Sequence, residues 1–268
     1  VGDVMSNFTD FIGGGGGGTF PTIFLHNSQT WVPPQDGNIM IHVIGAGGSG
    51  SGTTSTVQIE SGAAGGYCRK NSLAVTTSGS FTVTIGAGGA SVIGAVGAGT
   101  DGGVTTMAGT GLSLLRSFGG AGGALSNNTY TTGGVATGGD VNYTGGRGGN
   151  QKGGGAVGLS GTGIDGGGAS SSSFGGRCDI LGDFYSSSLG QLSGSSGGKG
   201  MYISTGSAAG ESEAGPLAGA GSMLVVNSTS VVGHASIGGG GGWGYGNNTA
   251  RIHSGRGGEG CVVIQYIP

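Results

Sequence analysis

The chain has 268 residues, 73 of them glycine and 5 proline, more than double the usual share of the two together; yet 34% hydrophobic residues, a mean hydropathy of +0.10 and only 8% charged residues exclude the charge-rich composition of a disordered chain. Glycine runs at 13–18 and 238–242 break any Gly-X-Y frame and exclude collagen, and no stretch has the apolar length of a membrane span or the basic-then-apolar layout of a signal peptide, so no membrane insertion is expected. A net charge of −3, with basic residues scattered singly, gives no electrostatic footprint for nucleic acid.

Residues 1–12 carry Val4, Met5, Phe8, Phe11 and Ile12 at helix-like spacing, and the hexaglycine run 13–18 cuts them off from the remainder of the chain. This reads as an N-terminal attachment segment with a glycine linker over 1–18, or as a strand tucked onto the body. Residues 19–268 read as one glycine-rich domain. Within it, Ile39, Ile41 and Val43 alternate with Met40, His42 and Ile44, which predicts a strand over about 39–44 buried on both faces. Residues 72–76 predict another strand. Phe81, Val83 and Ile85 alternate with Ser80, Thr82 and Thr84, which predicts a half-buried strand over about 80–85. Residues 261–267 suit a central strand.

Between these strands, residues of about 86–260 show few helix or strand patterns and many glycine triplets. A three-residue spacing of the non-glycine positions fits polyproline II geometry. Such a backbone makes no internal hydrogen bonds, so its amides need partners on neighbouring segments, and only glycine lets backbones approach that closely. The fold class expected from sequence is therefore all-β and irregular: short strands framing a packed bundle of glycine-rich polyproline II-type helices. Inserts at 125–144, 178–192, 199–213 and 243–253 become loops at the ends of the bundle. Their aromatic and polar residues, Tyr130, Tyr143, Phe184, Tyr185, Tyr202, Trp243, Tyr245 and Asn247, have the makeup of a recognition surface. Rings that plug the bundle ends or fill the core are the other reading of each aromatic.

The segment Trp31-Val32-Pro33-Pro34, the strand 39–44 and Gly45-Ala46-Gly47-Gly48 together resemble the opening of the glycine-rich domain at the distal ends of many bacteriophage tail fibres. The resemblance continues through Gly65-Gly66-Tyr67, Gly86-Ala87-Gly88-Gly89, Ser117-Phe118-Gly119-Gly120 and Gly255-Arg256-Gly257-Gly258-Glu259-Gly260. The architecture is also similar to the adhesins that cap the long tail fibres of some T-even-like phages. That likeness implies a receptor-binding protein at a tail-fibre tip of the virion, assembled in the host cytoplasm. Its partners would be a bacterial outer-surface receptor, protein or glycan, and other tail-fibre or virion subunits reached through residues 1–18; a homotrimer is compatible with it. The alternatives are a structural virion protein, such as a capsid or baseplate decoration, and a secreted glycine-rich extracellular or ice-binding protein.

No enzymatic chemistry and no cofactor are expected. In so glycine-rich a chain, G-x-G-x-x-G matches arise by chance and say little about dinucleotides. Gly194-Ser195-Ser196-Gly197-Gly198 fits a nucleophile-elbow pattern but lacks a preceding strand and a following helix. His26, His42, His234 and His253 have no paired metal-ligand spacing, and His42 falls on a predicted strand face. Glu211 and Glu213 stand apart from other acids. Arg147 and Arg256 sit in R-G-G contexts too few to bind RNA. Cys68, Cys178 and Cys261 are odd in number and far apart, which favours buried thiols over a disulfide framework.

Overall fold

A computed structural model of the chain describes residues 21–54, 60–126, 130–149, 161–163, 165, 237–242, 244–245 and 252–268. Twelve strands are described: β1 (Thr22–Leu25), β2 (Gln29–Trp31), β3 (Gly37–Ile44), β4 (Gly52–Thr53), β5 (Tyr67–Val75), β6 (Phe81–Thr84), β7 (Thr105–Gly109), β8 (Leu112–Ser117), β9 (Ala136–Thr137), β10 (Val141–Tyr143), β11 (Gly244–Tyr245) and β12 (Cys261–Ile267). They form two five-stranded antiparallel sheets, ordered β1-β12-β3-β5-β10 and β2-β6-β7-β8-β9, with β4 and β11 as a small parallel pair.

The apolar patterns explain the sheets. Strand β3 lies between β12 and β5, and its inward residues Ile39, Ile41 and Val43 stand opposite Tyr266, Ile264 and Val262 of β12. All six are buried in the core between the two sheets. The second sheet supplies Trp31, Phe81, Val83, Met107, Leu112 and Leu115. Trp31 and Phe81 meet ring to ring at 5.5 Å, while Thr82 and Thr84 on the other face of β6 are exposed. Strands β7 and β8 form a hairpin whose two-residue loop, Thr110-Gly111, needs the left-handed conformation of Gly111 (φ 69°). Ser117 Oγ donates to the Val43 carbonyl at 2.8 Å and ties one sheet to the other inside the core.

No described residue is helical, which corrects the expected bundle of glycine-rich polyproline II-type helices framed by short strands. The structure is an open β-sandwich. The region 86–260 has few strand patterns in its sequence, yet its described part carries β7 to β11. Thr105, Met107, Leu112 and Leu115 of the hairpin are as deeply buried as the residues of β3. Side-chain burial between two sheets organises the molecule, and the glycine segments continue the strands.

At one end of the sandwich, β3, β6, β8 and β10 run on into glycine-rich segments, and β5, β7 and β12 emerge from them. These segments belong to neither large sheet and are bonded side to side. Along 45–52, successive amides address three neighbours in rotation. Gly45, Gly48 and Ser51 donate to Gly66, Ala63 and Glu60 at 2.9, 2.9 and 3.0 Å. Ala46, Ser49 and Gly52 donate to Gly103, Thr100 and Gly97 at 3.2, 2.9 and 2.9 Å. Gly47 and Gly50 donate to Gly258 and Gly255 at 2.8 and 3.1 Å. The segment 60–66 repeats the pattern: Ser61 and Ala64 reach Gly149 and Gly146, Gly62 and Gly65 reach Gly241 and Gly238, and Ala63 and Gly66 reach Ala121 and Phe118.

This packing leaves no room for a side chain at the inner glycines. A Cβ on Gly62 would sit on the Gly48 carbonyl, whereas one on Gly97 would meet only Val92 Cγ1 at 3.6 Å. Gly62→Ala should therefore destabilise the protein by more than about 3 kcal/mol, since neither backbone can retreat. Gly97→Ala should stay within about 1 kcal/mol of the wild type in the same chemical denaturation series.

Candidate functional site

Where the first sheet passes into the glycine segments, its outer face carries a chain of polar and aromatic side chains. His42 sits mid-way along β3, with Val263 of β12 on one side and Arg69 of β5 on the other. Its Nδ1 lies 2.7 Å from the Tyr67 hydroxyl and its Nε2 lies 3.2 Å from Gln265 Oε1. Arg69 Nε donates to Asn71 Oδ1 at 2.8 Å. The donors and acceptors fit one arrangement: the phenol donates to Nδ1, and Nε2–H donates to Gln265 Oε1. Tyr143 of the edge strand β10 stacks on Tyr67 with ring centroids 6.0 Å apart and planes 10° apart.

His42 and Tyr67 are fully buried. Burial holds the imidazole down at about 4; the hydrogen bond to Gln265 works against that depression and the charge of Arg69 adds to it. Burial likewise drives the Tyr67 hydroxyl far above the ordinary phenol range. At neutral pH the imidazole is therefore uncharged and the phenol protonated. The cluster ties β12, β3 and β5 together.

The thiols follow the same logic. Burial raises the Cys68 thiol and pushes that of Cys261 up to about 12; both are free. Among the described residues no group of three His, Cys, Asp or Glu side chains could hold a metal ion, and no helix is long and apolar enough to cross a membrane.

Of the residues selected from sequence, Tyr130, Tyr143 and Tyr245 are described. Tyr130 is 49% exposed, with the Arg147 guanidinium 4.9 Å from its ring centre. Arg147 is itself held by Asp165, through its amide at 2.7 Å, its Nε at 2.8 Å and its Nη2 at 2.7 Å. Tyr143, expected on a loop, is half-buried on β10 against Tyr67. Tyr245 lies on β11, paired with Thr53. Phe184, Tyr185, Tyr202, Trp243 and Asn247 lie outside the described residues. The linked residues His42, Tyr67 and Gln265 are not among those the sequence singles out as a site. Their signal is a single polar residue inside each of two otherwise apolar strands, IMIHVI and VVIQYI, which a central strand tolerates only when the polar groups are satisfied.

The fold and this cluster define an all-β protein whose strands continue into laterally bonded glycine segments. Residues 23–267 match the family model described as a glycine-rich domain, and the chain belongs to that family. No curated protein matches the chain. The likeness to the distal tail-fibre domain, and with it the tail-fibre adhesin and its bacteriophage and virion setting, is corrected by these findings. The family match is to a glycine-rich domain in general, and the helix scaffold on which receptor-binding loops were expected to stand is replaced by the sandwich.

Tyr67→Phe leaves His42 Nδ1 without the phenol and should destabilise the fold by about 1–3 kcal/mol in urea titrations. In native protein at pH 8, alkylation followed by peptide mapping should leave Cys68 and Cys261 unmodified, and both should react once the chain is unfolded.

Proposed function

We propose that this chain is a non-catalytic structural module, a stiff building element of an extracellular or particulate assembly. The rotation of successive amides among three neighbours in 45–52 and 60–66 carries the reading. A strand in a sheet is bonded on two sides only, whereas these segments are bonded on three or more, which resists bending in every lateral direction. Thr22 of β1 pairs with Gln265 of β12, and the Tyr266 amide donates to the Pro21 carbonyl at 3.1 Å. The cluster around His42 supports the same role, since its buried groups join strands.

Two measurements test this. In hydrogen exchange, amides of 45–52 and 60–66 should be protected as strongly as those of β3 and β12; exchange at free-chain rates would remove the stiff body on which the reading depends. In fractionated source material, antibody against the chain should find it in an insoluble or particulate fraction. Recovery as a free soluble monomer would count against a building element.

A further inference from the structure

We propose that Tyr130, Arg147 and Asp165 form a binding site for an acidic saccharide, in which the outer edge of the Arg147 guanidinium takes the carboxylate of a uronic acid. The site stands on the bonded glycine segments. Thr131 and Gly148 bridge, the Thr131 amide donating to the Gly148 carbonyl at 2.9 Å, and this brings Tyr130 and Arg147 together. The bridge is anchored from below. The carbonyls of Gly146 and Gly149, on either side of Arg147, accept the Ala64 and Ser61 amides at 2.9 and 3.1 Å, and Thr131 Oγ1 donates to the Ser61 carbonyl at 2.9 Å. Asp165 follows Gly163, whose amide donates to the Thr144 carbonyl at 2.9 Å. Side chains mounted on so fixed a backbone lose little freedom when a ligand arrives.

Asp165 engages only the inner edge of Arg147. Its Oδ2 accepts from Nε at 2.8 Å and from Nη2 at 2.7 Å, and its Oδ1 accepts the Arg147 amide at 2.7 Å. A guanidinium carries five N–H groups, so both Nη1 hydrogens and one on Nη2 remain, and these make the end-on fork that matches a carboxylate with two parallel bonds. The Tyr130 ring, 4.9 Å from the guanidinium carbon, lies against the same group. This arrangement does little for stability, since an exposed ion pair and an exposed cation–π contact are each worth at most about 1 kcal/mol. All three side chains are open to solvent: Arg147 is 54%, Asp165 39% and Tyr130 49% exposed. A long side chain held in one open pose is suited to recognition.

Charge balance selects the ligand. Arg147 and Asp165 cancel, so a bare anion gains little attraction from a distance, and an acidic side chain or an inorganic ion has only the fork to hold. A uronic acid offers more. Its carboxylate fits the fork, and one of its hydroxyls can donate to Asp165, where three of about four acceptor directions are taken. The weakly positive C–H edges of its ring suit the negative face of Tyr130. This inference goes beyond the structural role proposed above, naming a material that such a module would hold.

The test is a titration of the full chain with methyl β-D-glucuronide at pH 7, followed by nitrogen NMR at the Arg147 Nε–H and backbone amide. Both signals should shift saturably, and methyl β-D-glucoside, which lacks the carboxylate, should bind at least about tenfold more weakly. Arg147→Lys, which keeps the charge and loses the fork, and Tyr130→Ala should each weaken glucuronide binding by about tenfold or more while the protection of 45–52 and 60–66 stays unchanged. If a variant does not fold, the comparison of ligands on the wild type decides alone. No saturable shift with the glucuronide, a glucoside that binds as tightly, or undiminished binding by Arg147→Lys would each overturn the proposal. So would equal binding of a capped glutamate peptide, which would make an acidic protein segment the ligand. Free-chain exchange in 45–52 and 60–66 with glucuronide binding intact would reject the stiff module and support this site.

Discussion

The constraint on which the structure depends is the absence of a Cβ wherever backbone meets backbone. At Gly48, Gly62, Gly120, Gly240 and Gly257 the place a methyl group would take is filled by a carbonyl of a neighbouring segment. Only because that space is free can successive amides of 45–52 reach the segments around 60–66, 97–103 and 255–258 in turn. The cost is conformational. Ordering a residue's backbone costs about 1–2 kcal/mol, and glycine is the most expensive residue to order. One net hydrogen bond returns only about 0.5–1.5 kcal/mol. A glycine with a single lateral bond is close to neutral, so the layers cannot hold themselves together without a second source of free energy.

That source is the sandwich. Seven strands hand their backbones to the glycine segments or receive them, and those strands are fixed by a core of branched aliphatic and aromatic side chains. Burying each such side chain is worth about 1.5–3 kcal/mol, far more than a glycine contact returns. The register of β3 against β5, with Val43 opposite Cys68 and Ile44 opposite Tyr67, places Gly45 beside Gly66. The core thus positions a bonding pattern it does not itself touch. The His42 cluster lies at this transfer point, where a mispaired strand would throw every following glycine out of line.

Much of the sandwich is legible in the sequence, and the reasons are local. The stretches around Ile41 and Val263, apolar but for His42 and Gln265, announce central strands, and the alternation of Phe81 and Val83 with Thr82 and Thr84 announces a half-exposed one. The β7–β8 hairpin is written in the sequence too, in Met107, Leu112 and Leu115 around Thr110-Gly111, but its glycine-rich surroundings hide it. Strand β5 begins at Tyr67, well before the residues 72–76 that show an apolar signal, because its first part is buried by its place beside β3 rather than by a pattern of its own. The His42 cluster is not legible as a unit. His42 and Tyr67 are 25 residues apart and His42 and Gln265 are 223 apart, so their meeting depends on strand order, which local periodicity does not encode. Tyr143 is misplaced by sequence for the same reason: flanked by glycine it looks like a loop residue, and only pairing with β5 makes it part of a sheet.

Lateral bonding of bare backbone carries a hazard, since a flank with open amides would recruit further segments as an exposed sheet edge does. The side chains that do occur in the layers answer it. Asp101 Oδ1 accepts the Gly122 amide at 2.8 Å, Ser49 Oγ accepts the Thr100 amide at 2.8 Å, and Thr105 Oγ1 accepts the Gly86 amide at 3.1 Å. Ser254 Oγ takes the Val92 amide at 2.8 Å, and Ser51 Oγ bonds both the amide and the carbonyl of Glu60, at 3.1 and 2.9 Å. Asp101 is exposed and caps an outer amide, whereas Ser49, Ser51, Thr105 and Ser254 are buried and satisfy amides inside the layers. Ala87, Ala90, Ala98 and Asp101 are exposed on the outer segments, where a Cβ blocks the close approach that glycine permits. Glycine lets the layers form, and the few residues that are not glycine decide where they stop.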